Sequence, residues 1–410
     1  MAARLLSFVV AITFVATVSG QNAPQEWSQW RGPNRDGISQ ETGLLQDWPK
    51  SGPRVAWKIS GAGNGYSSFS TSGGRLYTLG ARGRDEYVIA LDRATGKKVW
   101  ETLNGRRFQN DRGDGPRSTP TVDGDRLYVL GGSGDLSALD AATGKKIWSI
   151  NIIAKFGGVN PYWGYSESPL VVGDRILINA GGSRASIVAI AKADGSTLWQ
   201  QGSDGAAYSS PMLMRTANIN QVIFFTESHA LAVDPKDGRQ LWSYGKANNG
   251  TANVATPIVK GTRVFVSSDY GAGAALLEVG AGNASSAKEI YFTRDMRNHH
   301  ASCVLVGDHL YGFSSSILTA MKFDTGATAW RDRSVGKGAV IYADNRLYLY
   351  SEDGVVGLAE ASPVGYREHG RFSIPQQSNL PTWSHPIIAS GFLIIRDQDS
   401  VYAYDVRTGR

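Results

Sequence analysis

An Asp–x–x–Thr–Gly turn followed by a tryptophan recurs along this chain. Its clearest copies are Ala90-Leu91-Asp92 to Trp100 and Ala138-Leu139-Asp140 to Trp148. The residues before each Asp alternate as in a strand. Asp offers a side-chain acceptor to the backbone ahead of it, and Gly tolerates positive φ where the chain reverses. Lys-Lys-Val-Trp or Lys-Lys-Ile-Trp then reads as a second strand, so each copy is a β-hairpin. Changed copies end at Gly195…Trp199, Gly238…Trp242 and Gly326…Trp330.

The intervals decide the architecture. Trp100, Trp148, Trp199 and Trp242 are spaced by 48, 51 and 43 residues. With Phe292 and Phe372 as aromatic substitutes, the remaining steps are 50, 38 and 42. Periods of this size, with about four short strands each, define a β-propeller. No 3.6-residue apolar stripe competes with that reading.

Upstream of each hairpin lies a second one, clearest at Thr119-Pro120-Thr121-Val122-Asp123-Gly124, where Pro opens a strand without sacrificing an internal ladder bond. Inner strands are predicted to begin near Ser68, Thr119, Ser168, Ser210, Thr256, Ser302, Ala339 and His385, which makes eight blades. The eighth has its outer turn at Asp405…Gly409 with no tryptophan strand after it. Val55-Ala56-Trp57-Lys58-Ile59 is predicted to supply that strand and to close the ring, which removes open edges. Six of the eleven tryptophans (57, 100, 148, 199, 242 and 330) occupy the repeat position. There they are expected to pack between blades, each burying roughly 150–250 Å², a gross gain of about 4–6 kcal/mol before entropy.

The prediction is therefore an all-β, eight-bladed propeller of four-stranded antiparallel blades over residues 55–410. Residues 1–20 read as a signal peptide: Arg4 leads a 14-residue apolar run, short for a membrane span. Residues 21–54 carry Trp27 and Trp30 among turn residues, too aromatic for a free linker, and are expected to pack on the propeller as an ordered lead-in. An exported, periplasmic or secreted protein follows, with no transmembrane segment after signal cleavage, and a monomer is expected. Cys303 is the single cysteine, so no intrachain disulfide can form; it reads as a buried thiol at the position held by Pro120 in another blade. The net charge of +6 is dispersed, without a run of five like charges. It permits anionic ligands, whereas nucleic acid is not expected for a chain with no recognisable module.

The repeat Ala-x-Asp-x-x-Thr-Gly-Lys-x-x-Trp at 90–100 and 138–148 resembles the tryptophan-docking repeat of the pyrroloquinoline-quinone-like β-propellers. The lead-in Trp27-Ser28-Gln29-Trp30-Arg31-Gly32-Pro33-Asn34-Arg35-Asp36-Gly37 is similar to the start of many exported bacterial propellers of this group. The resemblance implies one of two classes. Quinoprotein dehydrogenases oxidise alcohols or sugars with pyrroloquinoline quinone (PQQ) and Ca²⁺. Non-catalytic propellers such as the outer-membrane-protein assembly factor bind proteins or peptides. The fold does not choose between them. The residues favour the second: one cysteine rules out the adjacent-cysteine disulfide of the alcohol dehydrogenases, and no inner-strand start offers a Glu/Asn/Asp set for calcium. The expectation is an envelope binding or scaffolding propeller for protein, peptide or glycan, without cofactor. The alternative is a PQQ- and calcium-dependent oxidoreductase.

In a propeller the starts of the inner strands line one mouth of the central channel. Taking the residue three before each inner-strand proline, or its equivalent, gives a ring of Tyr66, Arg117, Ser166, Tyr208, Val254, His300, Lys337 and Trp383. Tyr165, Glu167, Asn253, His299 and His385 are neighbours, and of these Tyr165, Glu167, Asn253 and His385 join the candidate ligand-binding set. Basic and aromatic groups together suit a carboxylate, a sugar or an extended peptide. His299 and His300 are adjacent; on a strand they would face opposite sides, so no metal site is expected. Asn249-Gly250-Thr251 and Asn283-Ala284-Ser285 match glycosylation acceptors. No serine sits in a nucleophile-elbow context, so no catalytic residue can be named.

Overall fold

A computed structural model describes residues 26–280, 287–375 and 377–409; the signal-peptide reading of residues 1–20 and the acceptor at Asn283 lie outside them. The strands form eight four-stranded antiparallel sheets. Seven are built from consecutive strands, as in Ser70–Ser72, Arg75–Arg82, Asp85–Asp92 and Lys98–Arg106. The eighth takes its outer strand from the other end of the propeller sequence. Arg54–Ile59 pairs with Ser400–Asp405, placing Trp57 opposite Ala403 and Lys58 opposite Tyr402. Among the described residues, no helix is long and apolar enough to cross a membrane.

Seven inner strands begin two residues after their predicted starts, at Ser70, Thr121, Leu170, Met212, Ile258, Val304 and Ile387. In five of these the preceding residue is proline, which has no N–H to open the ladder. Blade seven has no proline there, and its inner strand is longer, Gly338–Ala343.

The turn Asp140–Gly144 shows why the motif recurs. Asp140 Oδ1 accepts from the Thr143 N–H (2.8 Å) and from its hydroxyl (2.6 Å), and the Gly144 N–H closes on the Asp140 carbonyl at 2.8 Å. The tryptophan of one blade then lies over the turn glycine of the next. A Cβ on Gly144 would come within 2.5 Å of the Trp100 ring, and one on Gly195 within 2.9 Å of Trp148. The indole N–H groups of Trp57, Trp100, Trp148, Trp199 and Trp330 donate to turn carbonyls of the following blade at 2.8–3.2 Å. Burial and a directed hydrogen bond thus act in the same contact.

Three blades vary the device. In blade five the residue opposite Leu276 is Tyr291, not Phe292; its hydroxyl donates to the Phe323 carbonyl at 2.8 Å over Gly326. In blade seven the repeat position is Gly370, opposite Leu358, and Phe372 packs two residues further on, against Gly52 and Trp48 of the lead-in. The outer pairs of the tryptophan blades carry the same register shift at this point, so the departures accompany longer hairpin connections: Leu276 and Tyr291 are 15 residues apart and Leu358 and Gly370 are 12, against 10 for Ala138 and Trp148. Trp242 keeps its place but turns its N–H to Gln221 Oε1 at 2.9 Å.

The lead-in does more than cover the surface. Backbone bonds tie it to Thr71, Val122 and Tyr342 of the inner strands, and Leu45 to Val406. Between these ties it pushes Arg31 and Arg35 into the centre of the ring, where each is 2% exposed. Arg35 donates to the carbonyls of Ser168, Pro169 and Pro211, and Arg31 to those of Ser302 and Cys303. Trp30 donates to Thr256 Oγ1 at 2.9 Å and packs at a tilt against His385, with ring centroids 4.5 Å apart. All eight blades therefore contact one short peptide through their inner strands or the residues leading into them. Cys303 is buried with its thiol on Asn298 Oδ1, 3.1 Å away.

Candidate functional site

Because the lead-in fills one end of the channel, the other end is a blind cup. A cavity of about 410 Å³ opens there, with Trp30 and His385 among its lining. Side chains of an extended segment alternate between two sides. The segments leading into the inner strands accordingly present every second residue to the axis: Ala252 and Val254, Tyr208 and Ser210, Trp383 and His385. Tyr66, Arg117, Ser166, Tyr208, Val254, His300, Lys337 and Trp383 all line the cup.

The same alternation sends three of the named neighbours elsewhere. Tyr165 is fully buried between blades and donates to the Ala180 carbonyl at 2.8 Å. Glu167, 1% exposed, accepts the Asn179 N–H at 2.6 Å; burial raises its carboxyl to about 8, only partly opposed by that bond and by Arg35. Asn253 braces a loop through the Thr226 and Glu227 carbonyls at 2.9 Å. These three hold the walls and do not face the cup. Asn249 is also buried, with its amide nitrogen donating to the Ala252 carbonyl at 2.8 Å, so the acceptor amide is engaged within the fold although Gly250 and Thr251 are exposed.

Several lining residues escaped the sequence reading. Glu352 sits in the turn after the second strand of blade seven. Its N–H donates to the Lys337 carbonyl (2.7 Å) and its carbonyl accepts from Thr382 (3.0 Å), which pins it between blades seven and eight. Arg112 and Trp163 come from the long connections into blades two and three, and Tyr270 from a turn of blade five. The lengths of those connections were the available signal for the first two; nothing in the turn sequences marked Glu352 or Tyr270.

The cup is aromatic and cationic. Tyr66 and Trp383 lie 5.2 Å apart, and Trp163 and Tyr208 5.6 Å. Arg117 stands over the rings of Phe108 (4.9 Å) and Tyr66 (5.3 Å), with its guanidinium bound to the Gly113 and Gly115 carbonyls. Burial lowers its pKa to about 10, still fully charged at neutral pH. Glu352 Oε1 receives the Lys337 ammonium at 2.9 Å and the Trp383 indole N–H at 2.7 Å. Arg112, Arg117 and Lys337 thus face one carboxylate among the lining residues.

His299 and His300 both line the cup, against the expectation that only one could. They occupy a bend that precedes the strand Val304–Val306, where strand alternation does not apply. Burial is the main cause that holds all three cup imidazoles low: His299 below its ordinary value, His300 well below it, and His385 at about 3. They are neutral at physiological pH.

The quinone–calcium pair implied by the resemblance fits this lining poorly. Calcium takes six to eight oxygen ligands. Here Glu352 is the one carboxylate of the lining, already engaged by Lys337 and Trp383, and the donors beside it are mainly imidazoles. Cys303, the single cysteine, lies outside the cup.

Residues 84–332 match the family model described as outer membrane protein assembly factor BamB. No curated protein matches the chain. Among solved structures, BamB from Moraxella catarrhalis is similar at 14% identity and a TM-score of 0.63, covering 86% of this chain and 99% of that one. The quinohemoprotein alcohol dehydrogenase of Comamonas testosteroni is similar at 13% identity and a TM-score of 0.65, covering 94% and 81%. A second quinohemoprotein alcohol dehydrogenase, ADHIIG from Pseudomonas putida HK5, gives 14%, 0.62, and coverage of 93% and 80%. At these identities the likeness is one of fold.

Proposed function

Because the chain belongs to the family described as outer membrane protein assembly factor BamB, we propose that it is a non-catalytic binding propeller of the bacterial cell envelope. Its cup takes a carboxylate-bearing group, either the end of a peptide on a partner protein or an acidic sugar. The observation that carries this reading is the lining itself: three cationic side chains against one carboxylate, among the rings of Trp30, Tyr66, Trp163, Tyr208, Tyr270 and Trp383. A carboxylate is attracted by the excess positive charge, and the apolar face of a sugar or side chain packs on aromatic walls. The blind floor limits a ligand to a terminus or a protruding group and leaves no path for a threaded chain.

Calorimetric titration with acidic and neutral oligosaccharides, and with peptides bearing free or amidated C-termini, tests the reading and separates its two ligand sources. The expected result is saturable binding of one acidic class, lost on amidation or reduction of the carboxyl group and weakened in Trp163→Ala and Arg112→Ala. Equal binding of neutral and acidic ligands would refute it. Dye-linked turnover of alcohols or sugars after addition of PQQ and Ca²⁺ would instead support the oxidoreductase class.

A further inference from the structure

One feature of the cup is not used by a carboxylate ligand. The donor atoms of His299, His300 and Glu352 lie within 4.8 Å of one another. The His300 side chain is only 9% exposed, yet both its ring nitrogens lack a hydrogen-bond partner; Nδ1 stands 3.5 Å from Glu352 Oε1. His299 Nδ1 is likewise buried and unpartnered, while its Nε2 meets the Tyr270 hydroxyl at 3.0 Å. Buried polar atoms without partners are uncommon in folded proteins because each forfeits its interaction with water. Here they converge beside a carboxylate in a cavity with room for a further atom.

We infer that His299, His300 and Glu352 form a binding site for a divalent first-row transition metal ion in the wall of the cup. Two imidazoles and one carboxylate suit borderline ions such as Zn²⁺ or Co²⁺ and disfavour calcium and magnesium, which prefer all-oxygen shells. The Tyr270 hydroxyl orients His299 through its other nitrogen, as outer partners commonly do for ligating histidines. Three protein ligands leave a position for water or for a donor atom of whatever enters the cup. Lys337 is the built-in competitor: its ammonium holds Glu352 Oε1, and a metal ion must displace it or share the carboxylate against its charge. The site does not depend on the carboxylate-ligand reading, since the three donors are supplied by the chain itself.

The test uses tag-free, full-length mature protein stripped with a chelator. Zn²⁺ is titrated against a chromophoric competitor, and Co²⁺ is followed by its visible absorption. The expected result is one Zn²⁺ per chain, undisturbed by a roughly hundredfold excess of Ca²⁺. His299→Ala, His300→Ala and Glu352→Gln should each weaken Zn²⁺ by about tenfold or more, whereas Lys337→Met should tighten it. His299 and Glu352 are less buried than His300, so their variants carry the test should His300→Ala fail to fold. Less than half an equivalent of tight Zn²⁺ overturns the inference. So does parental affinity in folded His299→Ala and Glu352→Gln, which would place any bound ion elsewhere on the surface. Loss of carboxylate-ligand binding with retained Zn²⁺ would count against the proposed function and leave this site standing.

Discussion

Replacing Trp148 by Ala tests whether the propeller is held together by aromatic wedges on neighbouring turns. Trp148 stacks over Gly195 and donates its indole N–H to the Lys192 carbonyl at 3.0 Å. Truncating a fully buried tryptophan costs about 3–5 kcal/mol; this ring is half-buried, so the expected loss is about 3 kcal/mol. Trp148→Phe keeps most of the stacking and removes one donor, for a loss of about 1 kcal/mol. Gly195 has φ +76°, so Gly195→Ala costs about 1 kcal/mol from backbone strain alone. Its new Cβ, 2.9 Å from the Trp148 ring, adds about 1 kcal/mol of overpacking. That second part vanishes once Trp148 is Ala. The double variant should therefore be less damaged than the sum of the singles by about 1 kcal/mol. Equilibrium urea unfolding followed by circular dichroism, read as midpoint shifts at constant slope, measures all four proteins. A Trp148→Ala loss below about 1 kcal/mol, or strict additivity of the pair, would refute the wedge account.

Three further outcomes follow from buried charges and from the lead-in. Glu167 has its folded pKa raised from 4.5 to about 8, so the native state holds a proton that the unfolded chain releases between those values. Its contribution to stability is full below about pH 4.5 and is lost as pH rises to about 8, at up to about 1.4 kcal/mol per pH unit. Glu167→Gln should flatten that slope in urea unfolding at several pH values; an unchanged slope would mean the carboxylate is ionised throughout. Arg35→Ala strips donors from three buried carbonyls, and a loss of about 3–5 kcal/mol is expected in the same assay. Arg35→Lys should recover only part of it, because one ammonium cannot reproduce the planar fork; full recovery would show that charge alone suffices. Replacing both Lys58 and Ile59 by Pro breaks the pairing of Arg54–Ile59 with Ser400–Asp405 while keeping the lead-in, and so opens that edge; the variant should associate or aggregate in light scattering, and a stable monomer would argue against closure by pairing.

Much of this architecture could be read from the chain because the repeat is local. The Asp–Thr–Gly turn, the proline before an inner strand and the tryptophan that follows the turn each rest on contacts a few residues long, and their spacing counts the blades. The eight-residue ring around the cup was legible for the same reason: each member has the same place relative to its own inner strand. Register was not legible. The hairpin connection of blade five is five residues longer than that of blade two, with Leu276 and Tyr291 15 residues apart against 10 for Ala138 and Trp148, so counting does not choose between Tyr291 and Phe292. Side of strand separated Tyr165, Glu167 and Asn253 from the cup, although they adjoin residues that face it. Other decisions belong to contacts between distant segments. Arg31 and Arg35 become a plug only when eight blades offer their carbonyls around one axis. Glu352 reaches the cup only because blades seven and eight clamp its turn, and His299 and His300 share a face only because their segment bends before the strand begins. Hydrophobic periodicity and turn chemistry are properties of neighbours in sequence, and they determined the ring. The floor, the charge and the metal-ligating geometry of the cup are properties of neighbours in space, which closing the ring alone brings together.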